Sequence, residues 1–221
     1  MRRPLTLIAA ALTVPLLGAC VADEEAGAWN YEEHVAKRQA EIDASPVEAG
    51  GVLFVGDSIT EAGDWSAAFP GLATSNQGVA GDRTDAVLAR MDQVARGTPE
   101  RVFLMIGTND LSGLGAEEAA AGAVAVAREI RTRLPDADLY VQSVLPRERS
   151  KVSDVAMVNE RLASEADRLG YTYLDIHDRF AAPDGTLRAE LTYDDLHLND
   201  QGYALWAETI EACVREGCDG V

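Results

Sequence analysis

Apolar runs of four or five residues recur along the chain, each closed by a polar, glycine-bearing segment and followed by a stretch of helical periodicity. Val52-Leu53-Phe54-Val55 and Val102-Phe103-Leu104-Met105-Ile106 are continuous apolar runs of the kind that form parallel strands buried on both faces. Residues 139–145 and 171–174 extend the series, and a weaker strand is expected over 72–75. Helices are expected at 84–96, where Val87, Leu88, Met91 and Val94 share a face, and at 116–134, 152–169 and 200–215. A further helix is predicted ahead of the first strand, over 28–44, with Asn30 as its cap, Glu33 three residues on and Pro46 beyond its end. Strand alternating with helix implies a parallel sheet covered on both faces. The expected fold class is therefore α/β, a three-layer sandwich around roughly five parallel strands in flavodoxin-like order, as one domain over 28–221.

The first residues do not fit that pattern. Arg2 and Arg3 precede an apolar run from Leu5 to Leu17 that is too short to span a bilayer, and Leu17-Gly18-Ala19-Cys20 follows. This resembles a bacterial lipoprotein signal with its lipobox. The resemblance implies a signal peptide over 1–19, a lipid on Cys20 and a small, acidic tether over 20–27, so that the protein is exported and membrane-anchored, in the periplasm or on the cell surface. A plain secretory peptide is the alternative; either way the chain is exported. Export permits disulfides, and with Cys20 lipidated Cys213 and Cys218 are left to staple the C-terminus, the alternative being two free thiols on a frayed tail.

The 221 residues carry 19 Lys+Arg against 37 Asp+Glu, a formal net charge of −18. Loss of residues 1–19 removes two arginines and no acid, leaving the remainder still more acidic. A nucleic-acid partner needs a basic face, and this balance excludes one. With 47% hydrophobic and 25% charged residues the chain has the composition of an ordinary globular protein.

In open α/β sheets the ligand lies beyond the carboxyl ends of the strands, where strand-to-helix loops converge. Four polar segments fall there: Gly56-Asp57-Ser58, Asn76-Gln77-Gly78, Gly107-Thr108-Asn109-Asp110, and Asp194-Asp195-Leu196-His197-Leu198-Asn199. A serine nucleophile must pass its proton to a base, most often histidine, and there are 3 histidines. His34 precedes the sheet and reads as a solvated surface residue. His177, flanked by Asp175 and Asp178, reaches the correct edge. His197 has an acid at i−3, Asp194, able to fix its tautomer, and is the favoured base. Donors for an oxyanion are available in the Ser58 and Gly78 amides and the Asn109 side chain.

Together these blocks resemble the SGNH (GDSL-type) esterase and lipase family. Asn76-Gln77-Gly78-Val79-Ala80-Gly81-Asp82-Arg83-Thr84 and Leu145-Pro146-Arg147 are similar to its platelet-activating-factor acetylhydrolase-like branch. The resemblance covers 51–207 and implies Ser58 as nucleophile, His197 as base and then acid, Asp194 as its orienter, and Ser58, Gly78 and Asn109 around the oxyanion. Asp57 would hold the loop. It calls for no metal and no cofactor. With little chain left for a lid, the expected substrate is a small ester or an O-acylated carbohydrate with an acyl group of about four carbons or fewer.

Blander readings stand beside these. Asn199 reads as the cap of the last helix, Trp65, Tyr193 and Trp206 as packing residues, and Arg83 as the partner of Asp82 or Asp85. Two other functions compete: a metal-assisted hydrolase using Asp57, Asp82, Asp110, Asp194 and Asp195 with His197, and a non-catalytic binding protein at the cell surface.

Overall fold

A computed structural model describes residues 30–220. The signal peptide, Cys20 and the tether lie outside the described residues. Five parallel strands, β1 (Val52–Gly56), β2 (Thr74–Gly78), β3 (Arg101–Met105), β4 (Asp138–Gln142) and β5 (Thr172–Leu174), form one sheet in the order β2-β1-β3-β4-β5. That is the flavodoxin-like order, and it reverses direction between β1 and β3.

Alternate strand residues feed two cores. Leu53, Val55, Val102, Leu104, Leu139 and Val141 pack under α4 (Thr84–Ala89), α5 (Met91–Val94), α6 (Ala116–Arg133) and α7 (Val152–Leu169). Val52, Phe54, Phe103, Met105 and Tyr140 face α3 (Trp65–Ala68), α8 (His177–Phe180) and α9 (Asp200–Glu216). The second core is aromatic: Phe54 stacks on Trp65 at 4.2 Å and on Phe103 at 5.3 Å, and Trp206 meets Trp65 edge-on at 4.8 Å. Trp206 is fully buried and its indole N–H donates to Gln142 Oε1, so it and Trp65 are packing residues as expected. Tyr193 is not: it is 73% exposed.

Several expected boundaries move for physical reasons. The strand expected over 72–75 runs from Thr74 to Gly78, made of polar residues at the sheet edge. The one expected over 139–145 ends at Gln142, because Asn159 of α7 takes both backbone groups of Val144, donating to its carbonyl and accepting from its N–H. The helix expected over 84–96 breaks at Arg90 (φ −102°, ψ 20°), whose buried side chain turns inward to Asp82 and to the Gln77 carbonyl. The first helix, α1 (Tyr31–Ala44), starts just after Asn30, which caps it by accepting from the Glu33 N–H. Cys213 and Cys218 are joined in a disulfide that ties the end of α9 to the segment beyond it. Among the described residues no helix is long and apolar enough to cross a membrane.

Candidate active site

Gly56 ends β1, and the next two residues open a single turn of helix, α2 (Ser58–Glu61). Asp57 caps it, its Oδ1 accepting from the Ile59 N–H at 3.0 Å. Ser58 therefore stands as the first helical residue at the mouth of the crevice between β1 and β3, where the strand order reverses.

The second partner arrives from far along the chain. Thr192 and Leu198 form an antiparallel bridge that closes the loop between them, and Asn199 then caps α9 through the Gln201 and Gly202 amides. Within the loop Asp194 Oδ1 accepts from the Leu196 and His197 amides, and Asp195 takes a positive φ of 63°, the one non-glycine residue to do so among the described residues. This tight turn brings Asp194 Oδ2 to 2.8 Å from His197 Nδ1 and points Nε2 at Ser58 Oγ, 3.0 Å away. Burial pushes the Asp194 carboxyl up, but the hydrogen bonds from the His197 ring and amide outweigh it and hold the group below the usual carboxylate range. An ionised Asp194 places the proton on His197 Nδ1 and leaves Nε2 to accept from the serine. Tyr203 of α9 donates to the Ile59 carbonyl at 2.8 Å, tying the helix that follows His197 to the turn that carries Ser58.

The third block comes from the strand paired with β1. Asn109 follows β3 and donates from Nδ2 to the Asp82 carbonyl at 2.9 Å, which leaves its second amide hydrogen for a ligand. Gly78 does not serve as expected. Its N–H donates to Asn76 Oδ1 at 2.9 Å, and its α-carbon is packed so closely on α2 that a Cβ would lie 2.2 Å from the Glu61 nitrogen. In the turn 78–82 the amides of Val79, Ala80 and Asp82 also have acceptors: the Gly56 carbonyl, Glu61 Oε2 and the Val79 carbonyl. The Gly81 amide has no acceptor among the described residues, and Gly81 sits at φ +82°, a conformation that glycine adopts freely. The free donor of this block is therefore the Gly81 amide, three residues beyond the expected Gly78. The signal for it was a second glycine in the same segment.

The other acids are dispersed. Asp57, Asp82 and Asp110 are all buried, each with its own partner: the Ile59 amide, Arg90 Nε at 2.8 Å, and the Thr84 hydroxyl at 2.6 Å. No group of three or more His, Cys, Asp or Glu side chains among the described residues could hold a metal. His177 is bonded to Asp178 beyond the edge strand β5, and Arg83 pairs with Asp85. His34 is partly exposed, as a surface histidine should be, but it is also paired: its Nε2 lies 3.1 Å from Glu61 Oε2. An open cleft of about 610 Å³ lies beside the Gly81 turn, lined by Tyr31, Gly81, Arg83 and Ala86 among others.

Burial pushes the Asp57 carboxyl up to about 7, against the opposing pull of the Ile59 amide. An unfolded aspartate loses its proton near pH 4, so between about 4 and 7 the folded chain binds the extra proton, and stability falls as pH rises through that window. Asp57→Asn keeps an oxygen for the Ile59 amide and removes the titration. Its Tm should fall less than that of the wild type between pH 4.5 and 7.5, as a thermal-melt series across pH would show; parallel curves would refute the assignment.

A serine, an imidazole and a carboxylate in line, with an Asn amide and a free glycine amide on the loops that follow the two strands paired with β1, form an arrangement able to transfer acyl groups. Residues 54–205 match the model of the GDSL-like lipase/acylhydrolase family. The chain belongs to that family. This GDSL acylhydrolase is 34% identical over 164 residues to the platelet-activating factor acetylhydrolase IB subunit alpha2 of Rattus norvegicus, covering 69% of this chain and 71% of the relative. Among solved structures the GDSL acylhydrolase resembles a GDSL-like lipase from Bacteroides thetaiotaomicron (TM-score 0.67, 18% identity, 86% of this chain and 98% of that one). It also resembles a mutant of Axe2, an acetyl-xylooligosaccharide esterase from Geobacillus Stearmophilus (TM-score 0.61, 18% identity, 77% and 96%). The GDSL family and its acylhydrolase members make this chain a carboxylic ester hydrolase.

Proposed function

We propose that the protein is a serine esterase that removes short, acetyl-type acyl groups through Ser58, His197 and Asp194. The observation that carries this reading is the continuous hydrogen-bonded line from Ser58 Oγ through His197 to Asp194, with links of 3.0 and 2.8 Å, at the strand-order switch. Ser58 Oγ attacks the ester carbonyl carbon while His197 Nε2 takes the hydroxyl proton. The carbonyl oxygen becomes an oxyanion met by the amides of Ser58 and Gly81 and by Asn109 Nδ2. As the tetrahedral intermediate collapses, His197 returns its proton to the departing alkoxide, leaving an acyl ester on Ser58. A water then attacks that ester, giving one proton to His197, and collapse releases the carboxylic acid with the proton restored to Ser58. Asp194 keeps Nδ1 protonated throughout and stabilises the imidazolium.

Two features support a short acyl group. The His197 and Asp194 side chains are 40% and 52% exposed, and the names of two relatives each specify an acetyl group, one as a platelet-activating factor acetylhydrolase and one as an acetyl-xylooligosaccharide esterase. Small esters and O-acetylated oligosaccharides are thus the proposed substrates. The kcat/KM for an acetate ester should exceed that for the matching octanoate by about tenfold or more and be unchanged by EDTA. A panel of p-nitrophenyl esters and acetylated xylo-oligosaccharides tests this; faster turnover of the long chain, or loss in EDTA restored by a metal, would overturn it.

The proposed setting is extracytoplasmic, with the chain held to a membrane by a lipid on Cys20, on the strength of Leu17-Gly18-Ala19-Cys20. In a bacterial host Cys20→Ala should move the protein from the membrane fraction to the soluble one. Retention of the variant in the membrane fraction would refute the anchor.

A further inference from the structure

Helix α1 lies outside the residues 54–205 that match the family, yet one of its faces is devoted to the turn 78–82. Tyr31, His34 and Arg38 are spaced i, i+3 and i+7, which puts them on the same side of a helix. Arg38 Nε donates to the Gly78 carbonyl at 2.9 Å and Nη2 to the Asn76 carbonyl at 2.8 Å. Its side chain is only 16% exposed, so these charge-assisted bonds are shielded from water. His34 Nε2 meets Glu61 Oε2 at 3.1 Å, and the same oxygen accepts from the Ala80 amide at 2.5 Å. The Tyr31 ring lies over Gly81, where a Cβ would come within 2.7 Å of Cε2. From the other side Arg90 holds the Asp82 carboxylate, and Asn109 holds the Asp82 carbonyl.

We infer that α1 is a positioning strap for the reaction: Arg38, with Glu61 backed by His34, fixes the turn 78–82 so that the Gly81 amide is aimed at the developing oxyanion. The inference rests on the esterase reading above. The turn contains a left-handed glycine, and its backbone bonds among the described residues are limited to Val79 N–H on the Gly56 carbonyl and Asp82 N–H on the Val79 carbonyl, so the placement of the Gly81 peptide between them depends on these side chains. Donors to an oxyanion act in the transition state and little in the ground state, and a displacement of about 1 Å can cost on the order of 100-fold. Loosening the strap should therefore appear in kcat and leave KM alone. Arg38 touches neither substrate nor the reacting atoms, which makes it a positioning residue.

The test compares Arg38→Met and Arg38→Lys with the wild type in steady-state hydrolysis of p-nitrophenyl acetate, and in hydrogen exchange of the peptides covering 76–84 and, as a control, β3. Arg38→Met should lower kcat about tenfold or more with KM within about twofold, and should speed exchange in 76–84 while β3 is unchanged. Arg38→Lys, which keeps the charge and can reach one carbonyl, should recover part of kcat; if the methionine variant does not fold, the lysine variant carries the comparison. Unchanged exchange in 76–84 overturns the strap, and so does faster exchange with full kcat or a loss confined to KM. If the wild type hydrolyses no ester, the esterase reading fails on that result alone, while exchange still decides whether α1 holds the turn.

Discussion

Ser58→Ala should lower kcat/KM on an acetate ester by on the order of 10⁴- to 10⁶-fold with Tm close to that of the wild type. The hydroxyl is the one group whose loss removes the covalent step itself. Its single hydrogen bond is to His197 Nε2, and the helix that carries it is held by Asp57, Asn76 and Tyr203 rather than by the serine. Activity should therefore vanish while the fold stays. His197→Ala should produce a loss of the same order, and the double variant should be no worse than either single one, because the two groups act as a unit. Full activity of Ser58→Ala on a short ester would dispose of the nucleophile assignment. A double variant whose losses multiplied would dispose of the coupling.

The second large effect is expected at Asn109. One of its amide hydrogens is used on the Asp82 carbonyl, which aims the side chain, and the other is free. If that hydrogen meets the oxyanion, Asn109→Ala should cost about 10²- to 10³-fold in kcat with little change in KM, since the bond strengthens only as negative charge develops on the oxygen. Asn109→Asp should be at least as damaging, because it presents a carboxylate to a developing anion. Steady-state kinetics of both variants on one acetate ester decide the matter. A rise in KM at constant kcat would make Asn109 a ground-state contact instead.

The strands buried on both faces were legible because their apolar runs are continuous: Leu53 and Phe54 point to opposite cores, and both are buried. Strand β2 was nearly invisible, since Thr74-Ser75-Asn76-Gln77-Gly78 sits at the sheet edge and uses its polar side chains structurally. Asn76 alone donates to the carbonyls of Thr60, Glu61 and Gly63. No hydrophobic period encodes that. The break at Arg90 was hidden for a similar reason, because it depends on a buried ion pair with Asp82 rather than on local propensity. The residues of the candidate site were mostly readable: Ser58, Asn109, Asp194 and His197 each follow a strand or close a loop where the fold puts ligands. The choice between Gly78 and Gly81 was not, since both glycines lie in one segment and only the allocation of hydrogen bonds separates them. The service of α1 to the turn 78–82 was equally hidden, because His34 and Arg38 are ordinary helix-surface residues until their distant partners, Glu61 and the Asn76 and Gly78 carbonyls, are known.

The central claim, that Ser58 is a nucleophile activated by His197, is tested most directly by covalent labelling. The purified chain is treated with an organophosphonate and analysed by intact mass and peptide mapping alongside residual esterase activity. One phosphonyl group per chain on Ser58, activity lost in proportion to labelling, and almost no labelling of His197→Ala are the results the account predicts. Stoichiometric labelling of another residue, or full activity in a chain labelled at Ser58, would contradict it.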